Sequence, residues 1–213
     1  MESGISARAR PGRFIKVCGV TSASQAQAVS ALGPDAVGFI FWARSRRAVC
    51  PKDAGGWETA PGVLRIGVFV DPELAEVEAA REAARLDGVQ LHGGETPEFC
   101  RAVGSRVWKA LHDDDQTPGR AAAYPVDAVL LDTRVGALPG GTGQTGDWDR
   151  AAALVRGTRV PVILAGGLGP GNLGNAIRRV NPWGVDVNSG VEVSPGMKNL
   201  HQVEEAIAIC RAS

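Results

Sequence analysis

Residues 160–190 read VPVILAGGLGPGNLGNAIRRVNPWGVDVNSG and contain one complete strand–helix–strand unit. The first run, Val160–Ala165, is apolar almost throughout, and a second apolar run follows at Val185–Asn188. Between them, Pro170–Val180 begins with a proline, which is favoured in the first turn of a helix. Runs that are apolar on both faces are typical of parallel strands covered by helices. This stretch therefore predicts an α/β fold with a parallel sheet.

The same alternation extends outward over the rest of the chain. Short apolar, β-branched runs recur, and a helix-compatible segment follows nearly every one of them. The predicted strands are Phe14–Cys18, Ala36–Phe41, Leu64–Val70, Gly88–Leu91, Val107–Leu111, Ala128–Asp132, Val160–Ala165 and Val185–Asn188. The predicted helices are Ser22–Leu32, Pro51–Ala60, Pro72–Arg85, Thr96–Val103, Asp113–Ala123, Trp148–Arg156, Pro170–Val180 and Lys198–Cys210. Glycines and a proline interrupt the second and fifth of these helices.

Eight strands that alternate with about eight helices predict a single-domain (β/α)8 TIM barrel. The competing architecture is an open, doubly wound sheet, which usually carries a glycine-rich turn after its first strand. Here the first strand ends in Cys18-Gly19-Val20-Thr21, which is no dinucleotide-binding fingerprint. Because no linker divides the chain, we expect a flexible N-terminal extension at residues 1–13 and one barrel domain at residues 14–213.

The composition excludes several classes of protein. Of the 213 residues, 44% are hydrophobic and 22% charged, so a sizeable core can be buried. Lys plus Arg equals Asp plus Glu at 23 each, so neither nucleic acid nor an anionic membrane is expected as a partner. No apolar run approaches the roughly 20 residues that span a bilayer. The four cysteines form no CxxC pair. These features predict a soluble, cytoplasmic protein with reduced thiols.

Potentially reactive side chains cluster where the predicted strands end. In a TIM barrel the chemistry lies at the C-terminal ends of the strands. Cys18 ends the first strand, Gln90 and His92 straddle the end of the fourth, and Asp132 ends the sixth. We therefore expect these side chains to face one cavity.

Two glycine-bearing loops follow the last two strands. Gly166-Gly167 comes after strand seven and directly precedes a helix, and Asn188-Ser189-Gly190 comes after strand eight. Glycines let backbone N–H groups approach an anion closely, and the start of a helix carries partial positive charge. The glycines alone would be equally consistent with tight turns. As a pair at adjacent strands, the loops predict a phosphate-binding site, in the usual place for this fold.

A thiol and a carboxyl group at one barrel mouth can divide the roles of base and acid. Taken singly, Cys18 reads as a buried small hydrophobe, and Asp132 reads as a cap or turn former. A free cysteine has a pKa of about 8.5, so it is a workable base only if the site lowers that value. Lys16 lies two residues before Cys18, should point to the same side of the strand, and could contribute to such a shift.

Three further features have more than one interpretation. No metal site is predicted, because no HExxH motif or cysteine cluster accompanies the three histidines. The arginines Arg44, Arg46 and Arg47 form either a solvated surface or a clamp for a substrate carboxylate. The glycine-rich stretch Gly136–Gly146 is either a mobile lid or a plain connection, and its place after Asp132 favours a lid.

The chain also resembles a known family along most of its length. The strings IKVCGVTS, DAVGFIFW, SRRAVCP, VGVFVDP, VQLHGGE, LLDT, GGTGQTGDW, LAGGL and VDVNSGVEVSPGMKN occur in this order from about Phe14 to the C-terminus. Together they resemble phosphoribosylanthranilate isomerases. The resemblance implies an Amadori rearrangement in tryptophan biosynthesis, from N-(5-phosphoribosyl)anthranilate to 1-(2-carboxyphenylamino)-1-deoxyribulose 5-phosphate. It also implies that no cofactor is needed, because the substrate nitrogen acts as the electron sink.

The resemblance assigns roles to residues that match the family motifs. It implies that Cys18 is the general base, that Asp132 is the general acid, and that Arg47 meets the anthranilate carboxylate. Asp186 falls where the family has an aspartate near the sugar hydroxyls, and we add Gln90 and His92 as substrate-binding residues. The same matching implies a set of phosphate-binding residues, Gly166, Gly167, Asn188, Ser189 and Gly190.

The chain departs from the family pattern at a few positions. Gln144 and Gly146 stand where the family often has a lysine and an aromatic residue, and Asn188 stands where the phosphate loop commonly has serine. These changes affect the expected lid packing and affinity more than the chemistry. A phosphosugar is thus the expected small-molecule partner, and the chain is expected to be a monomer or a homodimer.

Competing functions on the same barrel make different demands on the residues. A Schiff-base aldolase or lyase would use Lys16 or Lys109 as its nucleophile. A phosphosugar-binding protein without activity would not require Cys18 and Asp132. A related sugar isomerase of the histidine pathway usually uses paired aspartates, so Cys18 argues against it.

Overall fold

The computed structural model describes residues 12–104, 106–111, 118–132 and 147–213. Eight parallel strands form a closed barrel in sequence order, and β8 pairs with β1 to close it. The strands are β1 Phe14–Val17, β2 Ala36–Ile40, β3 Leu64–Phe69, β4 Gly88–Leu91, β5 Val107–Leu111, β6 Ala128–Asp132, β7 Val162–Ala165 and β8 Gly184–Val187. The predicted (β/α)8 barrel is confirmed, with strand ends that differ from the predicted ones by at most two residues.

A helix follows each strand, as predicted. The helices are α1 Ala23–Ala31, α2 Pro51–Gly55, α3 Leu74–Ala83, α4 Pro97–Val103, α5 Pro118–Ala123, α6 Trp148–Gly157, α7 Pro170–Val180 and α8 Leu200–Arg211. The second helix is shorter than predicted, because α2 ends at its glycines. The fifth is described from Pro118 onward, and the rest of its predicted range, 113–117, lies outside the described residues. Among the described residues, no helix is long and apolar enough to cross a membrane.

A short hairpin between β8 and α8 was not predicted. A 3₁₀ turn at Ser189–Val191 leads into the antiparallel strands β9 Glu192–Ser194 and β10 Met197–Lys198. The predicted helix start at Lys198 is wrong, because Lys198 belongs to β10. The helix begins instead after Asn199, whose side chain accepts a hydrogen bond from the Gln202 N–H.

The predicted N-terminal extension lies almost wholly outside the described residues, and its flexibility stays a prediction. Its last residue is part of the folded domain. The Arg13 N–H donates to the Cys210 carbonyl at 2.9 Å, and its guanidinium donates to the Pro182 carbonyl at 2.9 Å.

Three aspartates bind the strands together at the N-terminal end of the barrel. Each stands directly before an even-numbered strand, and its carboxylate accepts a backbone N–H from the preceding odd-numbered strand at 2.8 Å. These donor–acceptor pairs are Ile15 to Asp35, Arg65 to Asp87 and Val107 to Asp127. The repeated bond satisfies a strand-end N–H group and fixes neighbouring strands relative to each other.

The barrel interior is apolar at its N-terminal end. Inward-facing and outward-facing side chains alternate along each strand, and the inward-facing ones form a buried apolar cluster inside the barrel. The Trp108 ring packs edge-on against Phe14, with ring centroids 5.6 Å apart. The cluster consists of Phe14, Ala36, Ile66, Trp108, Ala110, Ala128, Leu130, Ile163 and Ala165. Leu130 and Ala165 also line a cavity at the C-terminal ends of the strands, so this cluster forms the floor of that cavity.

Candidate active site

A cavity of about 270 Å³ opens at the C-terminal ends of the strands. It is lined by ten of the eleven site residues predicted from the sequence, namely Cys18, Arg47, Gln90, His92, Asp132, Gly166, Gly167, Asp186, Asn188 and Ser189. The eleventh, Gly190, does not line the cavity. It packs instead against the backbone of Leu168 and Gly169. The structure therefore gathers residues from both ends of the chain into one place.

Cys18 lies one residue beyond β1 and is held there by its backbone. Its N–H donates to the Val187 carbonyl at 2.9 Å, which continues the pairing with β8. The side chain is buried, with only 3% of the residue exposed at the cavity wall. Burial raises the pKa of the Cys18 thiol, and the nearby Lys16 ammonium lowers it without overcoming that effect. The lowered pKa expected of a cysteine base is therefore not found, because burial dominates.

Lys16 is completely buried beneath the thiol. Its ammonium donates to Asp186 Oδ2 at 2.7 Å and to Gln90 Oε1 at 2.8 Å. Burial lowers the pKa of Lys16, but the carboxylate of Asp186 and the sulfur of Cys18 outweigh burial, so the pKa is raised. Lys16 therefore remains a cation. The Gln90 amide nitrogen in turn lies 2.9 Å from His92 Nδ1.

The prediction that Lys16 and Cys18 point to the same side of their strand is confirmed. A methyl group placed on Gly38, in the neighbouring strand β2, would lie 2.8 Å from Cys18 Sγ and 2.9 Å from Lys16 Cε. The two side chains thus occupy the space that a side chain at position 38 would need. Glycine at this position makes room for both.

Asp186 supplies a buried carboxylate on the cavity wall. Burial raises its pKa, and the Lys16 ammonium opposes that shift. Its Oδ2 is bonded to Lys16, whereas its Oδ1 is buried without a hydrogen-bond partner among the described residues. A buried oxygen of this kind normally has a donor. The arrangement suits a ligand hydroxyl group that donates to Oδ1.

Asp132 is the last residue of β6 and lies half-buried on the cavity wall. When ionised, Asp132 contributes to the raised pKa of Asp186, so the two carboxyl groups are close enough to interact. The segment predicted to be a lid, Gly136–Gly146, lies outside the described residues, as do Gln144 and Gly146 within it.

The two predicted phosphate loops pack against each other. Gly166 and Gly167 have φ angles of 101° and 64°, in the left-handed region that favours glycine. They lead into α7, whose first turn starts at Pro170. The second loop touches the first through Gly190 and the backbone of Gly169, where any side chain would collide. Bare backbone next to the start of an eleven-residue helix is suited to bind a phosphate group.

A charged cluster that sequence analysis missed lies behind Arg47. Glu192 Oε1 and Oε2 accept hydrogen bonds from Arg47 Nε at 2.8 Å and Nη2 at 2.6 Å. Lys198 Nζ donates to Glu192 Oε1 at 2.8 Å and to Asn188 Oδ1 at 2.9 Å. Both residues are in the quoted string VEVSPGMKN, which follows strand eight on the cavity side. Their place in a family motif directly after strand eight was the signal that could have identified Glu192 and Lys198.

Comparisons with known proteins agree with this geometry. The family described as N-(5'phosphoribosyl)anthranilate (PRA) isomerase matches residues 15–208. An N-(5'-phosphoribosyl)anthranilate isomerase from Geobacter metallireducens is 44% identical over 201 residues, which are 93% of this chain and 98% of the relative.

Solved structures are similar over the same range. One describes mutually generated monomers of the dimeric phosphoribosylanthranilate isomerase from Thermotoga maritima, with a TM-score of 0.81 and 35% identity over 94% of this chain and 100% of that one. Another shows a phosphoribosylanthranilate isomerase in complex with reduced 1-(o-carboxyphenylamino)-1-deoxyribulose 5-phosphate, with a TM-score of 0.81 and 33% identity over the same shares. The chain therefore belongs to the family of N-(5'-phosphoribosyl)anthranilate isomerases, the aldose–ketose isomerases of tryptophan biosynthesis.

Proposed function

We propose that this protein isomerises N-(5-phosphoribosyl)anthranilate by general acid–base catalysis, with Cys18 as the base and Asp132 as the acid. The observation that carries the proposal is that a thiol and a carboxyl group, 114 positions apart in sequence, line one cavity together with the two phosphate loops. The loops would hold the phosphate, and Arg47 would hold the anthranilate carboxylate. The sugar would then lie between Cys18 and Asp132.

The reaction needs an acid to open the sugar ring and a base to remove the proton from C2. Asp132 donates a proton to the furanose ring oxygen, the bond from C1 to that oxygen breaks, and the nitrogen lone pair forms a Schiff base with C1. The Cys18 thiolate then removes the proton from C2, the electrons of that bond form a double bond between C1 and C2, and the electrons of the C1–N double bond return to the nitrogen. The resulting enolamine gains a proton at C1 as its C2 hydroxyl becomes the ketone. C1 is reduced and C2 is oxidised, so the proposal requires no cofactor.

The raised pKa of Cys18 means that the thiolate, the form proposed to act as the base, is the minor form at neutral pH. Lys16 and Lys198 both lower the pKa of the thiol, so two cations are in place to stabilise the thiolate. These cations offset part of the cost of holding a thiolate in a buried position. Asp186 supports the scheme, because its Oδ1, which has no partner in the part of the chain that the structure describes, can accept a hydrogen bond from a sugar hydroxyl.

The test is a fluorescence assay that follows loss of the anthranilate substrate. We expect Cys18→Ser and Asp132→Asn to lower kcat by about 10²–10⁴-fold, the usual contribution of a proton-transfer group. Cys50→Ser is the control, because Cys50 is exposed and does not line the cavity. A Cys18→Ser enzyme that turns over at nearly the wild-type rate would remove Cys18 from the mechanism.

The lysine-dependent alternative receives no support from the surroundings of the two lysines. Lys16 is bonded to Asp186 and holds its proton more tightly than a free lysine. Lys109 Nζ donates to the Gly93 carbonyl at 2.7 Å and lies 3.0 Å from Glu95 Oε2. An ammonium bonded in this way is not a nucleophile. Reduction with borohydride in the presence of substrate should therefore trap no covalent adduct.

The expected setting of the enzyme is the cytoplasm, where its thiols would stay reduced. We expect a monomer or a homodimer, and light scattering of the purified protein distinguishes the two. Neither nucleic acid nor a membrane surface is an expected partner, given the balanced charge of 23 basic and 23 acidic residues.

A further inference from the structure

Glu192 is a buried carboxylate that serves no step of the proposed reaction. Its side chain is 3% exposed, and it does not line the cavity. Arg47, which does line it, lies against Glu192. Burial raises the pKa of Glu192, but the hydrogen bonds from Arg47 and Lys198 outweigh burial and lower the pKa. The group is therefore a fixed anion behind the cavity wall.

Four donors surround this carboxylate. Oε1 accepts from Arg47 Nε at 2.8 Å, from Lys198 Nζ at 2.8 Å and from the Gly196 N–H at 3.2 Å, while Oε2 accepts from Arg47 Nη2 at 2.6 Å. The two bonds to Arg47 form a bidentate fork, which fixes both the position and the plane of the guanidinium. The edge of the guanidinium that carries Nη1 then points away from Glu192.

The hairpin that carries Glu192 is itself anchored. The Gly196 carbonyl accepts from Thr21 Oγ1 at 2.6 Å and from Gln25 Nε2 at 2.9 Å, both near the start of α1. The Lys198 N–H donates to Gln25 Oε1 at 3.1 Å. Glu192 is thus tied to the barrel on the side of β1, and it can hold Arg47 in a fixed place relative to Cys18.

We propose that Glu192 is a positioning residue that orients Arg47 for the carboxylate of the substrate. The inference rests on the proposed function, in which Arg47 binds that carboxylate. A long arginine side chain that is ordered before the ligand arrives loses less conformational freedom on binding, so affinity is gained without a direct contact. Glu192 therefore sets the preference for a ligand that carries a carboxylate, while its link to the phosphate loops is indirect, through Lys198, which also donates to Asn188 Oδ1.

The variant Glu192→Gln tests this with little change in size. The single amide oxygen is expected at the position of Oε1, which has three donors, so the amide nitrogen falls opposite Arg47 Nη2. Two donors then face each other where a 2.6 Å bond existed, and Arg47 must turn away. Glu192→Asp, which keeps the charge but is shorter by one methylene, is the second variant. Asp149→Asn is the matched control, because Asp149 forms a similar fork with Arg179 on the exposed surface.

The measurement is the affinity for two ligands in wild type and each variant. The first is reduced 1-(o-carboxyphenylamino)-1-deoxyribulose 5-phosphate, and the second is the same compound with hydrogen in place of the carboxylate. We expect Glu192→Gln and Glu192→Asp to weaken binding of the first ligand about tenfold, the effect of about 1.4 kcal/mol, and to leave the second within twofold. KM should rise with little change in kcat, and Asp149→Asn should change nothing.

Three results would overturn the inference. Equal weakening of both ligands would show a general structural role, and tighter binding of the carboxylate ligand would show that Glu192 only opposes anions by its charge. A wild-type protein that binds both ligands equally would remove the carboxylate contact itself. The proposed function is judged separately, by turnover of the substrate in the wild-type protein.

Discussion

Gly38 provides a test of the geometry on which the proposed mechanism depends. Replacing it by alanine would put a methyl group 2.8 Å from Cys18 Sγ, 2.9 Å from Lys16 Cε and 3.1 Å from Cys18 Cα. Ordinary contact begins at 3.4 Å, so the thiol must retreat by at least about 0.6 Å and the lysine by about 0.5 Å. The two groups proposed to abstract the C2 proton and to stabilise the thiolate would move together.

We expect kcat to fall strongly while the protein stays folded. Misplacing a reacting group by 1 Å can lower the rate about 10²-fold, so a shift of this size predicts kcat lower by about ten- to a hundredfold. Overpacking a core position typically costs about 1–3 kcal/mol of unfolding free energy, and the change from glycine offsets part of that. The Gly38→Ala protein should therefore stay folded at 25 °C while its turnover falls.

Gly67→Ala is the matched control for crowding. Gly67 lies in β3, and a methyl group there would lie 2.5 Å from Leu86 Cδ1 and 2.9 Å from Phe41 Cε2, in the layer between strands and helices. Urea unfolding measures the stability of both variants, and the fluorescence assay measures their turnover. If Gly38→Ala kept the kcat of Gly67→Ala at equal stability, the assigned place of the thiol and the lysine would be refuted.

Two further predictions concern the thiol and the closed end of the barrel. In a Cys50→Ser background, the alkylation rate of Cys18 should rise with pH toward a midpoint above the pKa of a free thiol, about 8.5, because burial raises the pKa of Cys18. Lys16→Met should lower the rate at pH 8 by at least about tenfold, and a midpoint below that of a free thiol would contradict this reasoning. Asp35→Ala removes the acceptor of the Ile15 N–H and of Arg211 Nη1. The free energy of unfolding, measured in urea, should therefore fall by about 2–3 kcal/mol while kcat stays unchanged. A parallel loss of kcat would mean that the N-terminal end of the barrel also shapes the cavity.

Much of the fold could be predicted because its strands are written in the sequence as apolar runs. PVILA and AVGFI are buried on both faces, and only a barrel or sheet covered by helices offers that environment. The β9–β10 hairpin escaped because its strands have three and two residues, too short for any periodicity. The start of α8 was misplaced because Lys198, which belongs to the short strand β10, was included in the helix. The next residue, Asn199, is a better helix cap.

The candidate site could be predicted as a set of positions but not as a set of contacts. The rule that chemistry lies at the C-terminal strand ends and the family resemblance together selected ten residues that do line the cavity. Arg47 and Glu192, however, are 145 positions apart, and Lys16 and Asp186 are 170 apart. Such pairs follow from the closure of the barrel and its register, which no local pattern specifies. The direction of the Cys18 pKa also depends on burial, which the sequence does not give.

The register between β1 and β8 connects the closure of the barrel to the proposed chemistry. Lys16 pairs directly with Asp186 across this seam, and the same alignment brings Cys18 against Val187. A slip by one residue would turn the partner of Lys16 to the opposite face and leave a buried cation without its carboxylate, at a cost of several kcal/mol. The ion pair that excludes the wrong register is therefore the same pair that places an ammonium group beside the thiol. The contact between Lys16 and Asp186 therefore serves two purposes. It closes the barrel in a single register, and it places a cation next to the proposed base.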